Sequence, residues 1–144
     1  MGRGFWLSSL AVAVLAVGLP CLGTFVRRQR LPQCALDGVA IDPVYAVEII
    51  DGQGKSQRFC CIRCAQYWLA KEPLVTGAVH VTDEVSARPL DAADAYFVRS
   101  NVITNPVTGN RIHSFAGRGD AESHAKQFRG RILDDGERPL QRAP

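Results

Sequence analysis

The stretch Tyr45-Ala-Val-Glu-Ile-Ile-Asp-Gly-Gln-Gly-Lys-Ser-Gln-Arg-Phe-Cys-Cys-Ile-Arg-Cys-Ala65 spells out most of one folding unit. Residues 45–50 are rich in β-branched side chains, which suit the pleated surface of a strand. Asp51-Gly-Gln-Gly54 is a turn signal, because Gly admits positive φ and Asp bonds its own backbone. Residues 56–60 read as the returning strand. From Cys61 to Glu72 the composition becomes helical, and Pro73 stops the helix. Ala78-Val-His-Val-Thr82 then alternates like a third strand. The order is ββαβ.

The same order recurs downstream. Ala95-Tyr-Phe-Val-Arg99 is strand-like, Asn105-Pro-Val-Thr-Gly-Asn110 is turn-rich, and Arg111-Ile-His-Ser-Phe115 is strand-like again. Asp120 can cap a helix running to Phe128, closed by Gly130, and 130–133 ends the unit. The Asp91 and Asp94 carboxylates in Leu90-Asp-Ala-Ala-Asp-Ala95 read as a helix-start cap before a strand. The expected organisation is a first, Cys-rich unit over 31–84, a second over 85–135, and a polar, frayed tail over 136–144. A unit of about 50 residues buries little surface alone. Docking of the two, or a metal staple in the first, would make up the difference.

The chain has 144 residues, 47% hydrophobic and 22% charged, which excludes an intrinsically disordered protein. Its net charge is +3, yet residues 1–30 hold Arg3, Arg27, Arg28 and Arg30 and no acid. Removing those four from the 17 basic residues leaves 13 against 14 acidic ones, so 31–144 is near neutral. No basic stripe interleaved with aromatics appears, and nucleic-acid binding is excluded on that pattern. Residues 5–26 form an uncharged run of 22 residues, about 33 Å as a helix and enough to span a hydrocarbon core. The fold class expected is therefore α+β, with an N-terminal transmembrane helix within 1–30 followed by two small ββαβ units. A cleaved signal segment and a lipid anchor through Cys21 are the alternatives for 1–30. The basic flanks leave membrane orientation open.

Of 5 Cys, four lie in the first unit: Cys34, Cys60, Cys61 and Cys64. The last three sit where a strand gives way to a helix, and free N–H groups there favour thiolates. Arg63 would add to that effect. Cys61 and Cys64 (i, i+3) and Cys60 and Cys64 (i, i+4) each share one face of a helical turn. Thiolates suit soft ions: Cu(I) with two or three, or Zn²⁺ with four Cys or three plus His80. The competing readings are buried core cysteines and a Cys61-x-x-Cys64 redox pair. His113, on the counterpart of the Cys60 strand, is a further candidate ligand facing a shared cleft, whereas His124 reads as solvated. The single Met is the initiator, so no internal thioether exists. No Ser-His-Asp order, phosphate loop or paired-carboxylate motif is present.

Val79-His-Val-Thr-Asp83, Pro89-Leu-Asp-Ala-Ala-Asp-Ala-Tyr-Phe-Val98, Ile112-His-Ser-Phe-Ala116, Gly119-Asp-Ala-Glu122 and Gly130-Arg-Ile-Leu133 together resemble NosL. That family comprises membrane-associated copper chaperones that act outside the cytoplasm in nitrous oxide reductase maturation. The resemblance implies a double ββαβ fold shared with part of the organomercury lyases. It also implies a Cu(I) cargo, a protein that donates or receives the metal, and no enzymatic turnover. Cys34 and Gly38 match the family's Cys-Gly-Met element, but Val39 stands at the Met position. Pro106-Val-Thr-Gly109 likewise lacks the Met of the second element, so only Cys34 transfers as a ligand. The Cys34…Cys60-x-x-x-Cys64 spacing resembles a TRASH domain, a module linked to heavy-metal trafficking. The expected localisation is membrane-anchored with an extracytoplasmic domain.

Overall fold

A computed structural model describes residues 31–72 and 77–140. Strand β1 (Val47–Asp51) lies between β2 (Ser56–Phe59) and β3 (Gly77–Thr82), both antiparallel to it, and β4 (Pro89–Asp91) extends the sheet beyond β3. The period-2 alternation does what it should: Val47, Ile49, Phe59, Val79 and Val81 are buried on one face. Their registers coincide, with Val47 opposite both Phe59 and Val81 and Ile49 opposite Val79. On the other face Glu48 lies opposite Arg58 and pairs with it at 3.1 Å. The β1–β2 turn closes because Asp51 Oδ1 accepts the N–H groups of Gln53 and Lys55, each at 2.9 Å. Helix α1 (Ile62–Lys71) covers the apolar face with Ile62, Cys64 and Ala65, and Trp68 packs on Phe59 at 5.4 Å between ring centroids.

The second sheet has the order β6 (Ile112–Phe115), β5 (Tyr96–Arg99), β7 (Arg131–Ile132), again all antiparallel. Helix α2 (Arg118–Gln127) packs against it through Ala121, beside Val98 and Phe115. Alternate residues of β5 serve different cores. Val98 faces α2, while Phe97 joins the larger core of the first repeat together with Ala92, Ala95 and Leu133. The repeats are also tied by polar contacts. Ser114 Oγ donates to Thr82 O at 2.7 Å, and Ala116 N–H donates to Asp83 Oδ1 at 3.1 Å. Strand–strand–helix–strand thus occurs twice, with sheet orders β2-β1-β3 and β6-β5-β7 at corresponding positions.

The expected fold class needs correction. The described chain is a small α+β fold of two sheets and two helices. No helix among the described residues is long and apolar enough to cross a membrane. The apolar run 5–26, on which the transmembrane expectation stood, lies outside the described residues. Other differences are local. Asp91 caps no helix; it ends β4, and its Oδ1 accepts Ala93 N–H at 2.8 Å in a tight turn. α2 begins at Arg118, before Asp120, and it is Arg129 (φ 51°) that adopts the left-handed conformation after it. Gly130 is required for another reason: a Cβ there would lie 2.6 Å from Arg99 O, where the chain enters β7 beside β5. The segment after Asp134 is held as far as Leu140. Arg138 Nη2 donates to the carbonyls of Ala92, Ala93 and Ala95, its guanidinium lies over Phe97, and Leu140 is buried.

Candidate metal centre

Cys34 starts a tight knuckle. Its N–H donates to Val39 O at 2.8 Å, and its carbonyl accepts Gly38 N–H at 2.9 Å. Gly38 has φ +70°, a conformation a side chain would strain. Asp37 sits at the tip, with Oδ1 accepting Val39 N–H at 3.1 Å. Ala35 N–H donates to Arg58 O at 2.9 Å, which fastens the knuckle to β2. Cys60 and Cys61 follow β2 directly, and Cys64 lies in the first turn of α1. The strand-to-helix turn therefore delivers its thiols next to the knuckle.

The side chains of Cys34, Asp37, Cys60 and Cys64 offer ligand atoms that all lie within 4.8 Å of one another. Cys60 Sγ and Cys64 Sγ are 3.5 Å apart, and Cys64 Sγ is 3.2 Å from Asp37 Oδ2. The four cysteines among the described residues are buried and unpaired by disulfide, with Cys34 and Cys60 retaining 4% and 5% exposure and Cys61 and Cys64 none. The half-buried Asp37 and the two slightly exposed thiols mark the open side.

The i, i+4 pair is the one brought together. Cys61 is the N-cap residue of α1 with extended backbone (φ −168°, ψ 165°), and its Sγ instead lies 3.5 Å from Thr108 Oγ1. Arg63 is engaged with Tyr67: its Nε donates to Tyr67 OH at 3.2 Å and its guanidinium lies over that ring. The group that does approach the thiols is a neutral amide. Asn105 Nδ2 donates to Cys60 Sγ at 3.0 Å and reaches Cys61 Sγ at 3.8 Å. Asn105 is itself buried and locked, since its Oδ1 accepts the N–H groups of Val107 at 2.8 Å and Thr108 at 3.3 Å. Sequence reasoning marked 105–110 only as a turn. Its one available hint was the Asn-Pro turn signal in the second repeat.

Burial works against ionisation of Asp37, yet the Cys34 thiol, the Val39 N–H and the Cys64 and Cys60 thiols outweigh it and hold the carboxyl below its usual range. Among the thiols, Cys61 ionises first, down to about 5, through the hydrogen bond from Cys60 and despite its burial, with help from Thr108 and the Cys64 N–H. Cys60 is pushed up by that same partner and by burial, and Cys64 by burial and the Cys61 charge. Cys61 thus ionises readily, while Cys60 and Cys64 hold their protons until a metal ion displaces them.

His113 lies elsewhere. It is fully buried on β6, grouped with Glu84 and His124 and not with the thiols. His124, expected to be solvated, is half-buried with its ring 4.3 Å from that of His113, and burial, then His113, push its imidazole down to about 4. His80 lies on the outer face of β3, opposite Glu48 and Asp91.

A two-repeat α+β fold with a buried pocket of thiols around one carboxylate is the class of protein defined here, and its site is of the kind that accepts soft metal ions. Among solved structures, the copper chaperone NosL from Shewanella denitrificans is similar to it, with a TM-score of 0.62 and 24% identity over 76% of this chain and 90% of NosL. At that identity the likeness is one of fold. No protein-family model matches the chain, and no curated protein matches it.

Proposed function

We propose that this protein binds Cu(I) through Cys34, Cys60 and Cys64 and passes it to a partner protein by ligand exchange. The observation that carries this reading is the convergence of three thiols and Asp37 within 4.8 Å at the mouth of a NosL-like fold. Three thiolates suit a soft monovalent ion, and the partly open Cys34–Asp37–Cys60 side gives an incoming thiolate or imidazole a route to the metal. Transfer by ligand exchange requires no turnover chemistry. The reading includes a location outside the cytoplasm, checked by the accessibility of a C-terminal tag in intact cells.

Asp37 favours a second reading, because three thiolates and one carboxylate make a complete tetrahedral set for structural Zn²⁺. Anaerobic titration of the reduced full-length protein with Cu(I), against a competing Cu(I) chelator, separates the two. One equivalent of Cu(I) bound tightly and released to a competing thiol supports the chaperone reading. One Zn²⁺ that resists chelation, with unfolding on its removal, overturns it.

A further inference from the structure

The sheet–helix interface of the second repeat contains a group that an apolar core does not need. His113 lies opposite Val98 in the β5–β6 register, so it points to the α2 face, yet it is fully buried. A buried imidazole is costly unless both nitrogens are satisfied. Its Nε2 is 3.3 Å from Val102 O, an acceptor only, so Nε2 must carry the proton there. Its Nδ1 then faces Glu84, with Oε1 at 3.1 Å and Oε2 at 2.9 Å. A carboxylate is also acceptor-only. Something positive must lie between Nδ1 and Glu84: either a second proton or a metal ion.

The surroundings favour the ion. In metal sites a ligating His donates its other N–H to a carbonyl, which fixes the ring, and Val102 O plays that part here. Glu84 is held in turn, since its Oε1 accepts Ser114 N–H at 3.3 Å and its own N–H donates to Ser114 O at 3.1 Å. A third ligand is supplied by α2. His124 lies 4.3 Å from His113 ring to ring, and its Nε2 is engaged with Ser100 Oγ at 3.2 Å, which leaves Nδ1 without a hydrogen bond to the described residues. The ligand atoms of all three residues lie within 4.8 Å of one another. The Glu84 side chain is 11% exposed, so the site opens on that side for a water molecule.

We propose that Glu84, His113 and His124 form a second metal site, separate from the thiol pocket, which takes a divalent first-row ion of the Zn²⁺ type. Two imidazoles and one carboxylate with a fourth position left to water are a zinc ligand set, and the hard, charged carboxylate favours a divalent ion over a soft monovalent one. The site uses none of the residues assigned to Cu(I), so it stands or falls independently of that reading.

Cobalt(II) is the probe, because sulfur ligation gives intense near-ultraviolet charge-transfer bands and His/carboxylate ligation gives only visible d–d bands. The full-length protein is titrated with Co²⁺ and then back-titrated with Zn²⁺, in the wild type and in a Cys60→Ser/Cys64→Ser variant. The expected result in the Cys variant is one equivalent of Co²⁺ with d–d bands free of sulfur charge transfer and displaced by Zn²⁺; the wild type takes the same equivalent in addition to any Co²⁺ that the thiol pocket binds with sulfur bands. Glu84→Gln and His124→Gln should each weaken it at least a hundredfold. These two partly exposed positions are used because replacing the fully buried His113 endangers the fold, and far-UV circular dichroism verifies each variant. Binding with sulfur bands only, binding unchanged in both variants, or no binding at all overturns the proposal.

Discussion

Asn105→Asp offers the most incisive test of how the second repeat serves the thiol pocket. The substitution keeps the side-chain shape and the Oδ1 acceptor that caps Val107 and Thr108, but replaces the donor 3.0 Å from Cys60 Sγ by a carboxylate oxygen. Without metal, Cys60 is a protonated thiol and can donate to the new group, which offsets the Cys61 thiolate nearby, so the fold should survive. With metal, Cys60 is a thiolate. Losing a hydrogen bond to a charged acceptor costs about 1.5–3 kcal/mol. Placing like charges about 3 Å apart adds roughly 5 kcal/mol at an effective dielectric constant of 20. The carboxyl can escape that repulsion by taking a proton, which at pH 7 costs about 4 kcal/mol for an ordinary pKa near 4. Cu(I) affinity should therefore fall at least tenfold, and by up to roughly a thousandfold, relative to wild type at pH 7. The gap should narrow at pH 5, where protonation costs less and restores a donor. Competition with a Cu(I) chelator at both pH values measures this. Wild-type affinity in Asn105→Asp, or a defect that is the same at pH 5 and pH 7, refutes the reasoning.

Among the cysteines, Cys61→Ser should leave Cu(I) affinity within about threefold, whereas Cys60→Ser or Cys64→Ser should lower it about a hundredfold, roughly 2.7 kcal/mol, by the same competition assay. Asp83, which accepts from Ser86 N–H at 3.0 Å and Ala116 N–H at 3.1 Å, links the loop after β3 to the end of β6. Asp83→Asn should cost about 1–3 kcal/mol in urea unfolding. Burial opposes its ionisation, but those donors hold its pKa below the usual 3.8, so the unfolded chain binds the proton first. The stability it contributes is complete above that value and is lost as pH falls through the lower folded pKa; Asp83→Asn should flatten the acid limb of the stability curve there. Phe59→Ala removes a fully buried ring packed on Trp68 and should destabilise by about 3–5 kcal/mol, read as a lower melting temperature. Ile49→Ala, also buried but remote from the thiols' hydrogen bonds, should cost about 2–5 kcal/mol with Cu(I) affinity kept within about threefold.

The residues of 45–71 announce their own local structure. β-Branched alternation puts Val47 and Ile49 on one face, Asp51 closes its turn through its own carboxylate, and the helical run begins where the Cys cluster ends. Such features are local: they depend on side-chain periodicity and on backbone groups a few residues away. β4 escaped notice because Pro89–Asp91 has only three residues and is a strand by virtue of pairing with β3, not by propensity. The apolar run 5–26 lies outside the described residues, none of which forms a helix long and apolar enough to cross a membrane.

The site divides along the same line. That three thiols would gather at a strand-to-helix junction is a matter of spacing, and the sequence by itself determined it. It also ruled out a thioether ligand, since its one Met is the initiator. Spacing could not choose between Cys61 and Cys60 as the partner of Cys64, because i+3 and i+4 both meet on a helix. The extended backbone of Cys61 as N-cap turns that thiol toward Thr108 and leaves the pair to Cys60. Asn105 reaches Cys60 across 45 residues of chain, and His113 meets Glu84 across 29, in a group of its own. Contacts at such separations arise only when two repeats dock and their sheets set the distances. Which chemistry is at hand follows from the residue types present, and the tertiary structure alone decides which side chains share a pocket.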